Sequence, residues 1–356
     1  MRIVGINIQN FRNFRTTALE FDGLRFFFRG KNAQGKTNLL EALSLVTAVR
    51  SFRTRSGADL VRHGGADCAL RFRLEHESEG EVELLLKISS KSKQVSLNSV
   101  GVGRLSEVVG RYPSVVFSSP DDQILRGSPG VRRRFMDSVI SSMDRDHCEA
   151  LRNYQRAVDS RNRLLKGTCR EAEIEAFERQ IAPSAVAIVK TRDAWAGVFG
   201  EKIARFYANL GGVGERVEFF YKPDLAIREK GEYLAKLAAV RERDAVLQIS
   251  TRGPHRDDFA VRIGGRDVRQ FASEGQQRAL VIAIRLAQVE WFHKESGIVP
   301  VILIDDILGE LDQERTLRFW ACLPGEMQVF ATGTRDPGDP HGGDWKVITV
   351  DAGRFF

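Results

Sequence analysis

The chain has 356 residues, of which 42% are hydrophobic and 28% are charged, and its formal net charge is +7. This length supports a large core and two lobes, and the composition is typical of a soluble protein. No run of 18 or more apolar residues occurs, so we expect no membrane span. The amino terminus lacks the pattern of a signal peptide, which makes the cytoplasm the expected location. The positive charge permits a polyanionic partner but does not establish one.

The first predicted elements are strands that lead into a glycine-rich loop. Residues 2–28 contain two or three strands with a turn at 21–23, and the last strand, 24–28, is short and aromatic. The next residues, 30–37, fit the pattern G-x-x-x-x-G-K-[ST] of a P-loop. A segment with apolar residues at helical spacing follows and continues to about residue 49. This order of strand, loop and helix is the context that the motif requires.

The residue types in this loop suit the binding of phosphate. Gly30 and Gly35 lack a Cβ, so the backbone can curl tightly, and N–H groups at the helix start point at an anion. Lys36 supplies a positive charge for the β- and γ-phosphates, and Thr37 offers a hydroxyl to Mg²⁺. We expect the whole segment to bind nucleotide: Gly30, Lys31, Asn32, Ala33, Gln34, Gly35, Lys36, Thr37 and Asn38.

The segment from residue 68 to residue 246 is predicted to form strands first and then mainly helices. Residues 68–75, 81–89 and 94–97 suggest an antiparallel sheet, and 114–117 is another short strand. From 120 to about 210 the pattern is helical, with a second long helical stretch over roughly 171–209. Between 131 and 166 there are nine Lys or Arg residues and five Asp or Glu residues. A strand at 217–221 and a helix at 230–246 follow.

An α/β pattern returns from residue 253. Helices are predicted at 273–292 and 311–323, and strands at 298–304, 327–332 and 345–350. The two outer thirds therefore form one α/β domain, and the middle third is an α-helical insertion. The predicted boundaries are 1–118 for the first part of the domain, 119–248 for the inserted lobe, and 249–356 for the second part.

Two acidic residues follow the apolar segment Val301–Ile304. A carboxylate at the end of a central strand can hold Mg²⁺ directly or through water, and we assign this role to Asp305. Asp306 is the candidate to position or deprotonate an attacking water. The alternative for Asp306 is a helix N-cap or an ordinary loop acid.

A third motif, Ser-Glu-Gly-Gln-Gln-Arg, occupies residues 273–278 just before a predicted helix. Ser273, Gly275 and Gln276 together with a helix N-terminus could form a second anion site. Since the P-loop already supplies one phosphate site, the second suggests a nucleotide bound to another molecule. The alternative is a serine N-cap followed by a flexible glycine.

These motifs, with Gly309-Glu310-Leu311-Asp312 as a D-loop, resemble the ABC-type ATPase heads of the SMC/Rad50/RecF group. The similarity is greatest to the RecF family of bacterial DNA repair proteins. Further stretches extend this similarity over nearly the whole chain, namely residues 10–14, 51–54, 127–137, 154–162 and 253–258. The resemblance implies an α/β fold, an ABC-type P-loop ATPase head with a mixed sheet, an antiparallel β part and an inserted α-helical lobe.

The resemblance also implies a function. Two molecules would close on two ATP molecules with Mg²⁺, each Ser273 facing the partner's γ-phosphate, and would clamp double-stranded DNA near single-strand gaps. Such proteins act with RecR and RecO to promote RecA loading in recombinational repair, replication restart and the SOS response. Hydrolysis would be weak, stimulated by DNA and used for release, with Lys36, Asp305 and Asp306 as its residues.

Candidate DNA contacts are the arginines beside the P-loop helix and at the start of the helical lobe: Arg53, Arg55, Arg132, Arg133 and Arg134. Arginine contacts to the phosphate backbone are independent of sequence and sensitive to salt. The alternative is that these arginines form a solvated face or pair with acids inside the lobe.

The chain departs from the ABC pattern at two places. No glutamine occupies the Q-loop position after strand 114–117, where Asp121 or Gln123 could substitute. The switch histidine of transporter ATPases is also absent, and only Thr332 and Thr334 offer hydroxyls there. Two other hypotheses remain, namely the nucleotide-binding subunit of an ABC transporter and a DNA-tethering protein with long coiled-coil arms. The chain is short for the latter.

Overall fold

We analysed a computed structural model of the chain, which describes residues 1–54, 56–167, 170–212, 214–334 and 345–356. Arg55 therefore lies outside the described residues. In chain order the strands are β1 (Arg2–Phe11), β2 (Phe14–Glu20), β3 (Arg25–Arg29), β4 (Asp67–His76), β5 (Gly80–Ser89), β6 (Lys93–Leu97), β7 (Val100–Gly101), β8 (Ser114–Ser118), β9 (Val217–Lys222), β10 (Asp258–Ile263), β11 (Arg266–Asp267), β12 (Val301–Asp305), β13 (Val329–Gly333), β14 (Lys346–Asp351) and β15 (Arg354–Phe355).

The α-helices are α1 (Lys36–Ala48), α2 (Gln123–Arg126), α3 (Pro129–Ser141), α4 (Arg145–Leu164), α5 (Glu171–Asn209), α6 (Lys230–Ala238), α7 (Arg241–Leu247), α8 (Val268–Phe271), α9 (Glu274–Trp291) and α10 (Gln313–Ala321). One predicted helix, 230–246, is two helices here, because the chain leaves the helical conformation at Val240. Within the described part of the chain, no helix has the length and apolar character needed to cross a membrane.

The chain divides into two compact units. The first comprises Met1–Asp121, Phe206–Val213 and Ile282–Phe356, and the second comprises Asp122–Arg205 and Gly214–Val281. The second unit ends later than the predicted boundary at 248. The reason is that β10 pairs with β9, which keeps residues 258–263 with the helices rather than with the α/β unit.

The first unit is built on a six-stranded sheet with the order β15-β14-β3-β13-β12-β8. Strands β14, β3, β13, β12 and β8 are parallel, and β15 pairs antiparallel with β14. The four residues Val301–Ile304 are fully buried, which explains why β12 is a continuous run of apolar β-formers. Because the strands are parallel, their carboxyl ends share one edge, and the loops after β3, β13 and β12 leave from that edge.

Aromatic side chains fill the core around β3 and β13. The Phe26 ring stacks on Phe330 with centroids 5.2 Å apart, and Phe21 meets Phe330 edge-on at 4.7 Å. Such pairs add to the free energy gained by burying the rings. They fix the strand that carries the P-loop next to its neighbour in the sheet.

An antiparallel sheet with the order β2-β1-β4-β5-β6-β7 completes the first unit. Strand β4 alternates between exposed and buried residues, so one sheet face packs on the core and the other meets solvent. This agrees with the antiparallel part predicted from residues 68–97. Helix α1 lies against β1, β8, β12 and β13.

The second unit contains α2–α4, α5 as far as Arg205, α6–α8, the first turns of α9 and a sheet with the order β11-β10-β9. The prediction of a mainly helical lobe missed β10 and β11, because the segment after 253 was assigned to the ATPase head. The hairpin turn between these strands uses Gly264 and Gly265, both with positive φ, which fits the glycine preference of such turns.

A buried ion-pair network holds α4, α5 and α7 together. The Arg161 side chain is fully buried, and its guanidinium donates to Glu178 at 2.9 Å and to Asp244 at 2.6 Å. It also donates to the Ser250 hydroxyl at 2.8 Å. Arg241 donates to the second oxygen of Glu178 at 2.6 Å. Each buried charge thus has a partner, and removal of one partner leaves an uncompensated charge.

We predict that Arg161→Leu lowers the free energy of unfolding by about 3–5 kcal/mol, because Glu178 and Asp244 lose their shared cation. Urea unfolding followed by circular dichroism measures this change. The matched control is Arg163→Leu on the same helix, where the side chain is exposed and the expected change is below about 0.5 kcal/mol. Equal effects of the two substitutions would show that the network is not a main source of stability.

Candidate functional site

The parallel sheet brings the P-loop and the acidic pair to one edge. The loop leaves β3 after Arg29, and Asp305 is the last residue of β12. Strand β13 lies between them, with Thr332 paired to Phe28 on one side and to Asp305 on the other. Residues far apart in sequence therefore meet here, as predicted from the two motifs.

The loop backbone requires its glycines. Gly35 has φ of 107°, a conformation that favours glycine, and a Cβ there would lie 2.8 Å from Asn13 Nδ2. A Cβ on Gly30 would lie 2.4 Å from the carbonyl oxygen of Val350, which is backbone and cannot move aside. The loop is thus held closely by β14 and by the turn after β1. Its curl leaves the amides of the first turn of α1 without intrahelical partners.

Lys36 is folded back onto the loop. Its Nζ donates to the carbonyl oxygens of Gly30 at 2.6 Å and of Lys31 at 3.1 Å. The ammonium therefore lies inside the curl where the phosphates of a nucleotide would sit. Amides, one lysine and one hydroxyl form a donor set that fits a triphosphate.

Thr37 and Asp305 are joined directly. The Thr37 hydroxyl donates to Asp305 Oδ1 at 2.9 Å, and the Thr332 hydroxyl donates to the same oxygen at 3.1 Å. Asp305 is 8% exposed. Burial raises the pKa of its carboxyl, the two hydroxyl groups oppose this rise, and the nearby Asp306 adds to it. Burial disfavours the charged form of this carboxyl, and a nearby cation would stabilise it. A hydroxyl and a carboxylate side by side are also oxygen ligands of the kind that a hard cation such as Mg²⁺ prefers.

Asp306 lies at the turn after β12 in a left-handed conformation, with φ of 59°. Its backbone N–H donates to the Thr332 hydroxyl oxygen at 3.1 Å. Thr332 thus contacts both acidic residues, and sequence analysis had given it only as a weak substitute for the switch histidine. A non-glycine residue in this conformation is uncommon, and such residues cluster at functional sites.

A buried glutamate on α1 was not predicted. Glu41 is fully buried and accepts from Arg12 at 2.7 and 2.8 Å, from Arg53 at 3.2 Å and from the Ser51 hydroxyl. A charged residue among the apolar positions of the P-loop helix was the signal for such a cluster, since a buried carboxylate needs cationic partners. The cluster fixes the start of the loop that carries Arg53.

Arg53 remains partly available despite this contact. Its side chain is 38% exposed, and its NH1 donates to Asn38 Oδ1 at 2.8 Å as well as to Glu41. Asn38 in turn donates to Asn13 Oδ1 at 2.7 Å. Arg53 therefore lies beside the start of α1, where it can offer its remaining N–H groups to an anion.

The region of residues 273–278 forms the start of α9 in the second unit. The Ser273 N–H donates to Gln276 Oε1 at 2.8 Å, and the Gln276 N–H donates to Ser273 Oγ at 3.2 Å. This reciprocal pair is a capping box, so the N-cap alternative describes the structure as it stands. Gln276 Nε2 also donates to Glu215 at 2.7 Å. Ser273 is exposed, and the helix N-terminus faces solvent.

The arginine cluster at the start of α3 has three different environments. Arg132 is 4% exposed and donates to both oxygens of Asp258 at 2.7 and 2.8 Å. It also donates to the Gly127 carbonyl, so its guanidinium is used inside the unit, which supports the alternative that this arginine pairs with an acid of the lobe. Arg133 is half-buried and donates to the Asp257 carbonyl, whereas Arg134 is exposed.

The two Q-loop substitutes also differ. Asp121 is buried, accepts from the Ser118 N–H at 3.1 Å and pairs with Arg285, so it is a structural residue of the first unit. Gln123 is exposed at the start of α2.

The predicted D-loop is held by two contacts. Ser119 donates to Glu310 at 2.8 Å, and Asp312 caps α10 by accepting from the Arg315 N–H.

Comparison with known proteins agrees with this arrangement. A family model described as the RecF/RecN/SMC N-terminal domain matches residues 2–337. The DNA replication and repair protein RecF of Moorella thermoacetica is 34% identical over 336 residues, which are 92% of this chain and 89% of that protein. The chain belongs to the RecF family. The RecF proteins of Listeria monocytogenes and Geobacillus thermodenitrificans are 31% and 32% identical, and each match covers 96% of this chain and 95% of the relative.

Solved structures of RecF proteins have the same fold. A recombination mediator protein RecF with ATP, from the RecFOR pathway, superposes with a TM-score of 0.91 and is 26% identical. The match covers 99% of this chain and 96% of that one. An SMC head domain from Pyrococcus furiosus has a TM-score of 0.56 and 16% identity, which supports the fold alone. The ABC-type head predicted from the RecF-like motifs is therefore confirmed.

The raised pKa of Asp305 gives a testable prediction for this RecF-family site. In the unfolded chain the carboxyl has its ordinary pKa, so the ionised form is disfavoured by folding, and stability falls as pH rises through the interval between the two values. Asp305→Asn removes the charge and keeps an oxygen for Thr37 and Thr332. We expect its melting temperature without nucleotide at pH 7 to rise by about 2 °C.

We expect Mg²⁺ with ATP to stabilise the native protein further, and the same variant should lose this effect, because an amide is a poor ligand for Mg²⁺. Thermal unfolding with and without Mg²⁺ and ATP measures both effects. Asp351→Asn, at an exposed position at the end of β14, is the control and should behave like the native protein. A lower melting temperature for Asp305→Asn, or full retention of the Mg²⁺ effect, would contradict the assignment.

Proposed function

We propose that the protein is an ATP- and DNA-binding factor of recombinational DNA repair and replication restart. We also propose that bound ATP holds two copies together as a dimer, and we call this the ATP-fastener hypothesis. The contact between Thr37 and Asp305 carries the proposal. It places the hydroxyl of the P-loop and the carboxylate of β12 2.9 Å apart at the sheet edge where Lys36 also lies. RecF relatives with the same fold include one solved with ATP.

The proposed nucleotide site assigns a role to each motif residue. The backbone of residues 30–35 wraps the phosphates, Lys36 moves from the Gly30 carbonyl to the β- and γ-phosphate oxygens, and Asn38 lies at the start of the helix. Thr37 and Asp305 would hold Mg²⁺, which when bound neutralises the phosphate charge. The hydrogen bond between them keeps their oxygens on one side of the loop.

Hydrolysis in this proposal is slow and serves release. Asp306 orients the attacking water, and Thr332 fixes the Asp306 backbone through its hydroxyl oxygen. Asp306 is one methylene shorter than the glutamate of transporter ATPases, and the switch histidine is absent. These features suit a weak ATPase used as a switch, stimulated when DNA is bound.

Dimerisation is proposed to complete the site. Ser273 is exposed at the N-terminus of α9, a position that suits the γ-phosphate of ATP held by another copy. Ser273 would release its contact with the Gln276 amide, while Gly275 allows the close approach of phosphate. RecR, with RecO and RecA acting further along the pathway, would be the protein partners, as the RecF resemblance implies.

The transporter alternative has less support. The relatives are named as DNA replication and repair proteins over at least 89% of their length. We propose that double-stranded DNA near single-strand gaps is bound by Arg53 in the first unit and, separately, by Arg134 in the second unit, with Arg133 as a further candidate there. Arg55 is also a candidate, although it lies outside the described residues.

The ATP-fastener hypothesis predicts different behaviour for the two halves of the site. Lys36→Met should bind ATP poorly and stay monomeric, because the phosphates lose their cation. Ser273→Arg should bind ATP normally and also stay monomeric, because the new side chain fills the space for the partner's γ-phosphate. Sedimentation velocity with ATP, together with fluorescent-nucleotide binding, separates these cases.

Ser90→Arg, in the exposed turn between β5 and β6, is the matched control and should dimerise with ATP like the native protein. If Ser273→Arg still forms ATP-dependent dimers, the site does not act between two copies. If Lys36→Met binds and dimerises normally, the P-loop assignment fails.

The DNA-binding hypothesis predicts a steep salt dependence. A plot of log affinity for duplex DNA against log salt should have a negative slope, and Arg53→Ala should reduce its magnitude by about 1 for each phosphate that the arginine neutralises. Arg53→Lys keeps the charge and should keep most of the slope. Lys190→Ala, on the exposed side of α5, is the control. A flat salt response in the native protein would argue against phosphate binding.

A further inference from the structure

The exposed face of α4 carries a stripe of basic residues in the second unit. Arg152, Arg156, Arg163 and Lys166 follow one another at intervals of four, seven and three residues, which places them on one side of the helix and of its last turn. Arg156, Arg163 and Lys166 are exposed. Asp159 lies in the same stripe, so the stripe has a net positive charge but includes one carboxylate.

An open cavity of about 640 Å³ lies against this stripe. Its lining consists of Arg156, Asp159, Ser160, Asn162, Arg163, Lys166 and Ile249. The volume is within the range of ligand-binding clefts. Three cations, one carboxylate and one aliphatic side chain therefore face a common space.

One exposed apolar residue, Ile249, lines this cavity. Ile249 is 40% exposed, and within three residues along the chain Val246 is 83% exposed and Leu247 is 50% exposed. Single exposed aliphatic residues are common, but several within a few residues of a charged cavity's lining are typical of interaction surfaces. Phosphate groups gain nothing from aliphatic side chains, whereas a peptide can cover them with its own.

The wall that carries Ile249 is held rigidly. The next residue, Ser250, donates to Asn162 Oδ1 from its N–H at 2.7 Å and from its hydroxyl at 2.8 Å. The Ser250 hydroxyl also accepts from the buried Arg161. Ile249 is thus fixed beside α4 by the same network that stabilises the unit, and a partner would not have to order it.

We propose that this surface, formed by Arg156, Arg163, Lys166 and Ile249, binds an acidic peptide segment with an aliphatic residue at its centre, supplied by another protein. The carboxylates of the segment pair with the three cations, and the aliphatic residue packs on Ile249. Asp159 disfavours an evenly charged polyanion such as a nucleic acid backbone, because one of its phosphates would face this carboxylate. The proposal is independent of the ATP site, which uses none of these residues.

The test uses the full-length protein and a short fluorescein-labelled peptide in which glutamates flank a central pair of leucines. Fluorescence polarisation should show binding that weakens about tenfold in Arg163→Glu and in Ile249→Asp. Both side chains are exposed, so the fold should persist, and circular dichroism checks this. Lys190→Glu is the matched charge control. Glu178 is the α5 residue that contacts Arg161 of α4, and Lys190 lies 12 residues beyond it, about 18 Å along the helix.

Two further probes test the need for an aliphatic residue in the ligand and distinguish a peptide site from a nucleic-acid site. The peptide with serines in place of leucines should bind more weakly, and a single-stranded oligonucleotide of equal charge should be unaffected by Ile249→Asp. The proposal is overturned if the acidic peptide does not bind, or if Lys190→Glu weakens it as much as Arg163→Glu. It is also overturned if only the oligonucleotide binds here and loses affinity in Arg163→Glu, which would make the surface a nucleic-acid site.

Discussion

The hydrogen bond from Thr37 to Asp305 joins two residues that are 268 positions apart in the chain. It forms because β3, β13 and β12 are parallel, so that the loop after β3 and the end of β12 leave the sheet at one edge. The buried aromatic rings of Phe26 and Phe330 hold β3 beside β13, and the fully buried β12 lies next to β13. Everything proposed for the nucleotide site depends on this edge.

The motifs could be predicted from the sequence because each has a recognisable pattern of adjacent residues. Gly30 and Gly35 are needed where a Cβ would strike Val350 or Asn13, and the apolar run Val301–Ile304 marks a strand buried on both faces. The ABC-type head followed from these local signals and from the resemblance to the RecF family. Both patterns can be recognised from adjacent residues, although the atom that excludes a Cβ at Gly30 belongs to Val350, near the other end of the chain.

The contacts of single charged residues could not be predicted in the same way. Arg132 and Arg134 are two residues apart in one Arg-rich segment, yet one is buried against Asp258 and the other is exposed. Which arginine turns inward depends on the position of β10, which is more than a hundred residues later. The same is true of Glu41, whose partners Arg12 and Arg53 lie on different loops. Spacing along a helix identifies a face but not what covers it.

The acidic pair shows how stability and function oppose each other at this site. Burial makes the charged form of Asp305 unfavourable in the nucleotide-free protein, and the neighbouring Asp306 adds to this cost. A cation between Thr37 and Asp305 would relieve both effects, so nucleotide and Mg²⁺ would stabilise the fold as they bind. In the proposed function, filling the site would remove part of the cost of burying the Asp305 charge, so nucleotide binding would be linked to the stability of the first unit. The proposed ATP-dependent dimer would use this link, because the nucleotide-bound state would be the more stable one.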